Sequence, residues 1–270
     1  MKRNSFAAGA AIGLLTLLLA VAGCTTVPVT GRSQLNIVPE GQMTELSLSE
    51  FNKMKQDVPI EKDPAVNALV DKVGRRIAKV ASPDLPNAQW EFVVFKSSEA
   101  NAFCLPGGKV GVYTGILPIT KDEAGLATVL GHEIGHAAAH HGAERMSEAL
   151  VMQGGSQLLG TTLSSTDPRW QQAALLAYGV GTKVGRELPH SRQQESEADH
   201  IGLIYMARAG YDPKEAVAFW ERFEKFNQAQ GGDSTPWFLR THPVDKDRIQ
   251  NLRELLPQAQ AQYHPNQSAH

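Results

Sequence analysis

The spacing of apolar and polar positions changes period several times along the chain, and each change marks an element. Ala7 to Ala22 is an almost unbroken apolar stretch behind Lys2 and Arg3. It is short for a membrane span and ends in small residues, the pattern of a secretory signal over residues 1–23. Residues 24–42 hold Pro, Thr and Gly without clear period and read as an extended tether that packs on the body. Helical spacing predicts helices over Met43–Gln56 and Pro64–Val80. In the second, Val66, Leu69, Val70, Val73 and Ile77 share a face, and Pro64 suits a first turn. Trp90–Phe95 is β-branched and aromatic, hence a strand. Asn101–Leu105 and Lys109–Tyr113 read as a hairpin joined through Pro106-Gly107-Gly108.

From Lys121 the period is helical. Leu126, Val129, Leu130 and Ile134 form a stripe that carries His132 and His136 into the interior. This helix is expected to end near His141-Gly142, or to bend there and run on toward Leu150. Ala149–Thr166 has no charge but contains Gln, Ser and Thr; it is too polar for a span and is expected to pack on another helix. Asp167-Pro168 opens a further helix, Ser191–Ala209 forms the next and stops at Gly210, and Asp212-Pro213 opens another. Thr241-His242-Pro243 precedes the last. Residues 43–260 therefore read as one mostly helical α+β domain with a small antiparallel sheet, and residues 261–270 as a disordered tail.

Composition narrows this only a little. The 270 residues carry 26 Lys+Arg against 28 Asp+Glu, so the basic footprint of a nucleic-acid partner is missing. Two cysteines cannot build a disulfide scaffold. Cys104, between Phe103 and Leu105, reads as a buried small hydrophobe. Val21-Ala22-Gly23-Cys24 resembles a bacterial lipobox. That resemblance implies cleavage before Cys24 and a lipid on its sulfur, hence a membrane as partner. Thr25 in place of an aspartate then implies the periplasmic face of the outer membrane in the bacterial cell envelope.

The chemistry is concentrated in His132-Glu133-Ile134-Gly135-His136, an H-E-x-x-H pattern. On a helix, positions i and i+4 lie on one face, so both imidazoles reach one metal ion, with Glu133 beside them to take a proton from water. With nine histidines in the chain, the pattern arises by chance only about 0.02 times. Two histidines leave a zinc site one protein ligand short. Ala139 and Gly142 stand where the longer metzincin pattern needs Gly and His, and His140 lies too far along the helix. His140 and His141 therefore read as surface or capping residues. The third ligand is sought in Glu195-Ser196-Glu197-Ala198-Asp199, where Glu195 and Asp199 share a helix face. One of the two carboxylates binds the metal and the other accepts a ring N–H of a ligand histidine. Glu197 points away from that face.

H-E-x-x-H followed by E-x-x-A-D resembles the gluzincin family of the CAAX prenyl proteases and HtpX-like proteases, most of all its periplasmic lipoprotein and mitochondrial quality-control members. Val27-Pro28-Val29-Thr30-Gly31-Arg32, Asn101-Ala102-Phe103, Pro106-Gly107-Gly108, Ser191-Arg192, Thr241-His242-Pro243 and Arg248-Ile249 carry the same likeness. The resemblance implies a zincin-like metalloprotease domain with the sheet beside the H-E-x-x-H helix. It implies one Zn2+ per chain held by His132, His136 and Glu195, with Glu133 catalytic and Asp199 orienting a ligand. It makes Asn101 and Ala102 the edge-strand segment that pairs with substrate backbone. His242 is similar to a histidine that either fills the open metal position or polarises the substrate carbonyl; the plainer reading is a helix-start residue. Gly231-Gly232-Asp233-Ser234, upstream of it, is read as flexible. Arg248 reads as the ion-pair partner of a buried carboxylate. The implied activity is peptide-bond hydrolysis in unfolded or misassembled envelope polypeptides. A zinc-stabilised chaperone or assembly factor with latent protease activity is the alternative, and Glu133 argues against it, since a structural site needs no general base.

Overall fold

The computed structural model describes residues 24–164, 167–183, 188–229, 237–244 and 246–265. The expected signal segment, the Gly231–Ser234 stretch and the last five residues of the expected tail lie outside these. Strands β1 (Cys24–Thr26) and β2 (Ser33–Leu35) pair antiparallel across a tight turn, and helix α1 (Glu40–Asp57) follows. The tether is thus a small hairpin with Val27 buried, and α1 begins ahead of the expected Met43. Helix α2 (Pro64–Ala81) starts where Asp63 accepts a hydrogen bond from the Ala65 N–H and Pro64 needs none.

Strands β3 (Glu91–Phe95), β4 (Ala102–Leu105) and β5 (Lys109–Tyr113) form one sheet in the order β3-β5-β4. The expected β4–β5 hairpin is antiparallel and turns through Gly107 and Gly108, whose φ values of 82° and 81° suit glycine. The β3–β5 pair is parallel, so the sheet is mixed rather than wholly antiparallel. Its cause is the connection: the chain returns from β3 to β4 at the far edge, which leaves β4 as an open edge against the helical layer.

That layer consists of α3 (Leu117–Thr120), α4 (Glu123–Ala138), α5 (His141–Thr162), α6 (Pro168–Thr182), α7 (Leu188–Arg208), α8 (Lys214–Ala229), α9 (Trp237–Thr241) and α10 (Lys246–Gln260). Asp122 caps α4 by accepting from the Gly125 N–H, and every residue of α4 from Gly125 to Ala138 is buried. A helix buried all round must be packed by helices and sheet together; α4 lies on α2, α7, α8 and strand β4. The helix ends at Ala138, and His140, at a left-handed φ of 53°, bends the chain into α5, which runs on past Leu150, the second of the two expected courses. The uncharged part of α5 packs on α6 as expected of helix-on-helix contact, although Leu150, Val151 and Leu158 stay exposed. The expected tail is not wholly free: Tyr263 packs against the core.

The α4–α7 crossing is the closest helix contact around the site. A Cβ on Gly131 would meet the Gly202 carbonyl oxygen at 2.9 Å, one on Gly135 the Ala198 carbonyl oxygen at 2.9 Å, and one on Gly202 the Gly131 and His132 backbone at 2.9 Å. We expect Gly202→Ala to force the helices apart, costing about 1–3 kcal/mol as overpacking does and weakening metal binding; urea unfolding and zinc titration of the same variant measure both.

Candidate metal centre

Helix α4 presents His132 and His136 one turn apart, and the crossing sets α7 directly across from them. His132 Nε2 and His136 Nε2 lie 3.1 Å from each other. Glu195 of α7 sits between them, its two oxygens 3.3 Å from His132 Nε2 and 3.1 Å from His136 Nε2. His242, just past α9, brings Nδ1 to 2.9 Å from Glu195 and 3.1 Å from His132 Nε2. One ligand atom from each of these four residues falls within 4.8 Å of the others. Of the two α7 carboxylates left open by spacing, Glu195 joins this group. Asp199 instead faces the other side of the His132 ring, 2.9 Å from Nδ1. The plainer reading of His242 as a helix-start residue does not describe where its ring lies.

Burial and the contacts among these side chains set their charge states. Burial alone would lower the His132 imidazole, but hydrogen bonds with Asp199 and Glu195 outweigh it and lift it to about 9. Burial likewise penalises the Glu195 charge, yet His136, His132 and His242 hold its carboxyl well below the usual range. Burial keeps His136 well below the ordinary imidazole value, hence neutral and able to donate its lone pair. Two imidazole nitrogens turned on one ionised carboxylate are the donor set of a two-histidine, one-carboxylate zinc site, and they fit one ion. Glu133, buried on the same helix, has its pKa raised chiefly by burial. Its Oε1 is buried without a hydrogen-bond partner, with His242 Nε2 at 3.4 Å. An orphaned carboxylate oxygen beside the ligand group suits a group that handles a proton.

The surroundings hold this arrangement. Arg248 of α10, buried, donates from Nε and Nη2 to the two oxygens of Asp199 at 2.7 and 2.8 Å, and its guanidinium lies 3.8 Å from the Trp220 ring centroid. It is the ion-pair partner expected for a buried carboxylate. On the other side the surface reading of His141 is corrected. The left-handed turn at His140 swings His141 inward, where it is fully buried with Nδ1 2.8 Å from His136 Nδ1 and Nε2 3.0 Å from Glu197. Glu197 does point away from the metal face, but into the protein: Thr30 and Arg32 donate to it, and it is held at about 2 by His141, Arg32 and Thr30 against the burial penalty. One sign of this was present in the chain: Arg32 is the lone charged residue between Cys24 and Pro39.

A cleft of about 800 Å³ opens in front of the metal group, lined by Glu133 and His242 on one side and by Asn101, Phe103 and Tyr113 on the sheet side. Asn101 O accepts from the Tyr113 N–H, which makes that pair hydrogen-bonded. Antiparallel pairs alternate, so Ala102 and Cys104 turn their main-chain N–H and C=O groups to the open edge. Of the two residues expected to meet substrate backbone, Ala102 has its main chain free to do so and Asn101 is committed to the sheet. Cys104 is half-buried against the core, and burial pushes its thiol up.

Residues 64–256 match peptidase family M48. The chain belongs to that family. It is a zinc-dependent metalloprotease, in line with the donor set above. It is similar to the mitochondrial metalloendopeptidase OMA1 of Schizosaccharomyces pombe, 35% identical over 237 residues, which are 87% of this chain and 67% of that one. Human mitochondrial metalloendopeptidase OMA1 is 31% identical across 96% of this chain and 51% of its own. The beta-barrel assembly-enhancing protease of Escherichia coli is 27% identical across 84% of this chain and 46% of its own. The chain spans between 40% and 67% of the length of the curated relatives it matches. The expected place on the periplasmic face of a bacterial outer membrane is overturned by these comparisons, since the relatives at 31–35% identity in fungi, mammals and a plant are mitochondrial enzymes.

We expect His132→Ala, His136→Ala and Glu195→Ala each to cut zinc affinity by more than the roughly 10–100-fold that partners outside the ligand set command. Asp199→Asn should fall within that range. Metal analysis after dialysis against a weak chelator separates the two classes.

Proposed function

We propose that this M48 peptidase is an endopeptidase that cuts extended segments of unfolded or misassembled polypeptides. The observation that carries the reading is the open edge of β4: unused main-chain groups of Ala102 and Cys104 run along the cleft that holds Glu133. A strand edge pairs with the backbone of any extended chain and asks little of its side chains. A folded substrate, with its own backbone bonds satisfied, has nothing to offer that edge. Endopeptidase activity accords with the similarity to metalloendopeptidases and to an assembly-enhancing protease.

Zinc at such a site activates water and polarises a carbonyl. The protein supplies the rest. The edge strand aligns the scissile peptide, Glu133 takes a proton at its unpartnered oxygen as water attacks, and the same carboxyl returns it to the departing amine. Burial favours this exchange, because a carboxylate with a raised pKa accepts a proton at little cost. His242 lines the cleft and lies among the ligand atoms as well, so in this arrangement its ring would stand in the way of an incoming water. Attachment to a membrane through a lipid on Cys24 belongs to the same proposal; among the described residues no helix is long and apolar enough to cross a membrane.

Digestion of reduced, unfolded casein tests these roles. Glu133→Gln should keep its zinc and fold but lose about 10²–10⁴ in turnover. His242→Ala should cleave several-fold faster than wild type, since it clears the open position; slower cleavage would make His242 a carbonyl-polarising donor instead. Cys24→Ala should block lipidation and leave the precursor uncleaved or mislocalised, which the mass and fractionation of the chain read out.

A further inference from the structure

Each ligand histidine has a second ring nitrogen, and the two are held by different means. His132 Nδ1 meets Asp199, a carboxylate braced by Arg248, within two adjoining helices. Among the described residues, His136 Nδ1 meets no carboxylate directly. It lies 2.8 Å from His141 Nδ1, and His141 Nε2 lies 3.0 Å from Glu197 Oε2. Only one proton arrangement satisfies this chain. If His136 gives its Nε2 lone pair to the metal, its proton sits on Nδ1 and is donated to His141. His141 must then accept at Nδ1 and carry its own proton on Nε2, which it donates to Glu197.

The end of the chain of bonds lies outside the helical layer. Arg32, from the turn between β1 and β2, donates from Nε to Glu197 Oε2 at 2.8 Å. Its Nη1 and Nη2 grip the two oxygens of Glu144 at 2.7 and 2.9 Å. Thr30 Oγ1 donates to Glu197 Oε1. Val29, a β-branched residue at φ 65°, and Gly31 at φ 70° make the tight bend that brings Thr30 and Arg32 to bear together. Glu144 and Glu197 are both buried, so one guanidinium balances two carboxylates that would otherwise face each other in a dry interior.

We propose that the N-terminal turn is a positioning element of the metal centre: Arg32, acting through Glu197 and His141, fixes the tautomer and ring orientation that point His136 Nε2 at the zinc. The inference rests on the metalloprotease reading above and deepens it. Arg32, Glu197 and His141 touch neither substrate nor metal, so they are positioning residues. The hairpin that carries Arg32 is far from α4 in sequence, yet it sets how well that helix holds its ion.

Two measurements on the full chain test this. Zinc affinity, by competition with a chromophoric chelator, should fall about 10–100-fold in Glu197→Gln, with a smaller loss in Arg32→Lys, which keeps the charge but loses the fork. Glu221→Gln, which removes an exposed pair with Arg253, should bind as wild type does. Circular dichroism of the metal-free variants separates loss of fold from loss of affinity. Should Glu197→Gln fail to fold, nitrogen-15 spectra of the histidine rings in zinc-loaded wild type decide the matter: His136 is expected protonated at Nδ1 and His141 at Nε2 alone. A proton on His141 Nδ1, or unchanged zinc affinity in a folded Glu197→Gln, overturns the proposal. No zinc binding by wild type overturns the metal reading and this inference together.

Discussion

Where α4 and α7 cross, glycines bring backbone against backbone, and the metal group depends on that contact. Gly131 and Gly135 of α4 face Gly202 and Ala198 of α7 at backbone distance, where any added Cβ would have to displace main chain. Glycine costs a helix roughly 1 kcal/mol relative to alanine, and α4 and α7 carry that cost at the crossing itself. The return is reach. Glutamate is a short ligand, and only a close crossing lets Glu195 lie within about hydrogen-bonding distance of two imidazoles on the neighbouring helix.

A crossing this close buries charge, and the protein answers with one arginine on each side. Asp199 and Glu197 sit two residues apart on α7, so they emerge on opposite flanks of the metal group. Arg248 from the C-terminal helix braces the first, and Arg32 from the N-terminal hairpin braces the second. Buried carboxylates without such partners would take up protons and stop accepting from the histidines. The two ends of the described chain therefore close on one centre. Substrate, in the proposed reading, approaches along the remaining free direction, past the edge of β4.

Much of this was legible from spacing. The H-E-x-x-H helix, its apolar stripe, the hairpin at Gly107-Gly108 and the pairing of Glu195 with Asp199 all follow from periods of about 3.6 and 2, which are properties of the local backbone. What misled was also local. His141 follows a helix end and carries a polar side chain, so it reads as a surface residue, and nothing nearby in sequence tells that His140 turns left-handed and folds it inward. The parallel pairing of β3 with β5 was likewise hidden, because strand order depends on where the chain re-enters the sheet and not on the composition of any strand.

By itself the sequence determined which residues share a helix face, and hence that two histidines and one of two carboxylates are placed to reach one metal. The tertiary structure decided that Glu195 rather than Asp199 joins them, that His242 lies beside the group, and which main-chain groups of β4 turn to the open edge. It also decided that Arg32, isolated in a charge-poor segment, ends against Glu197. The reason is range. Periodicity is set by torsions within a few residues, whereas ligand choice is set by the angle and closeness at which distant helices cross, and that angle is fixed by packing over the whole core.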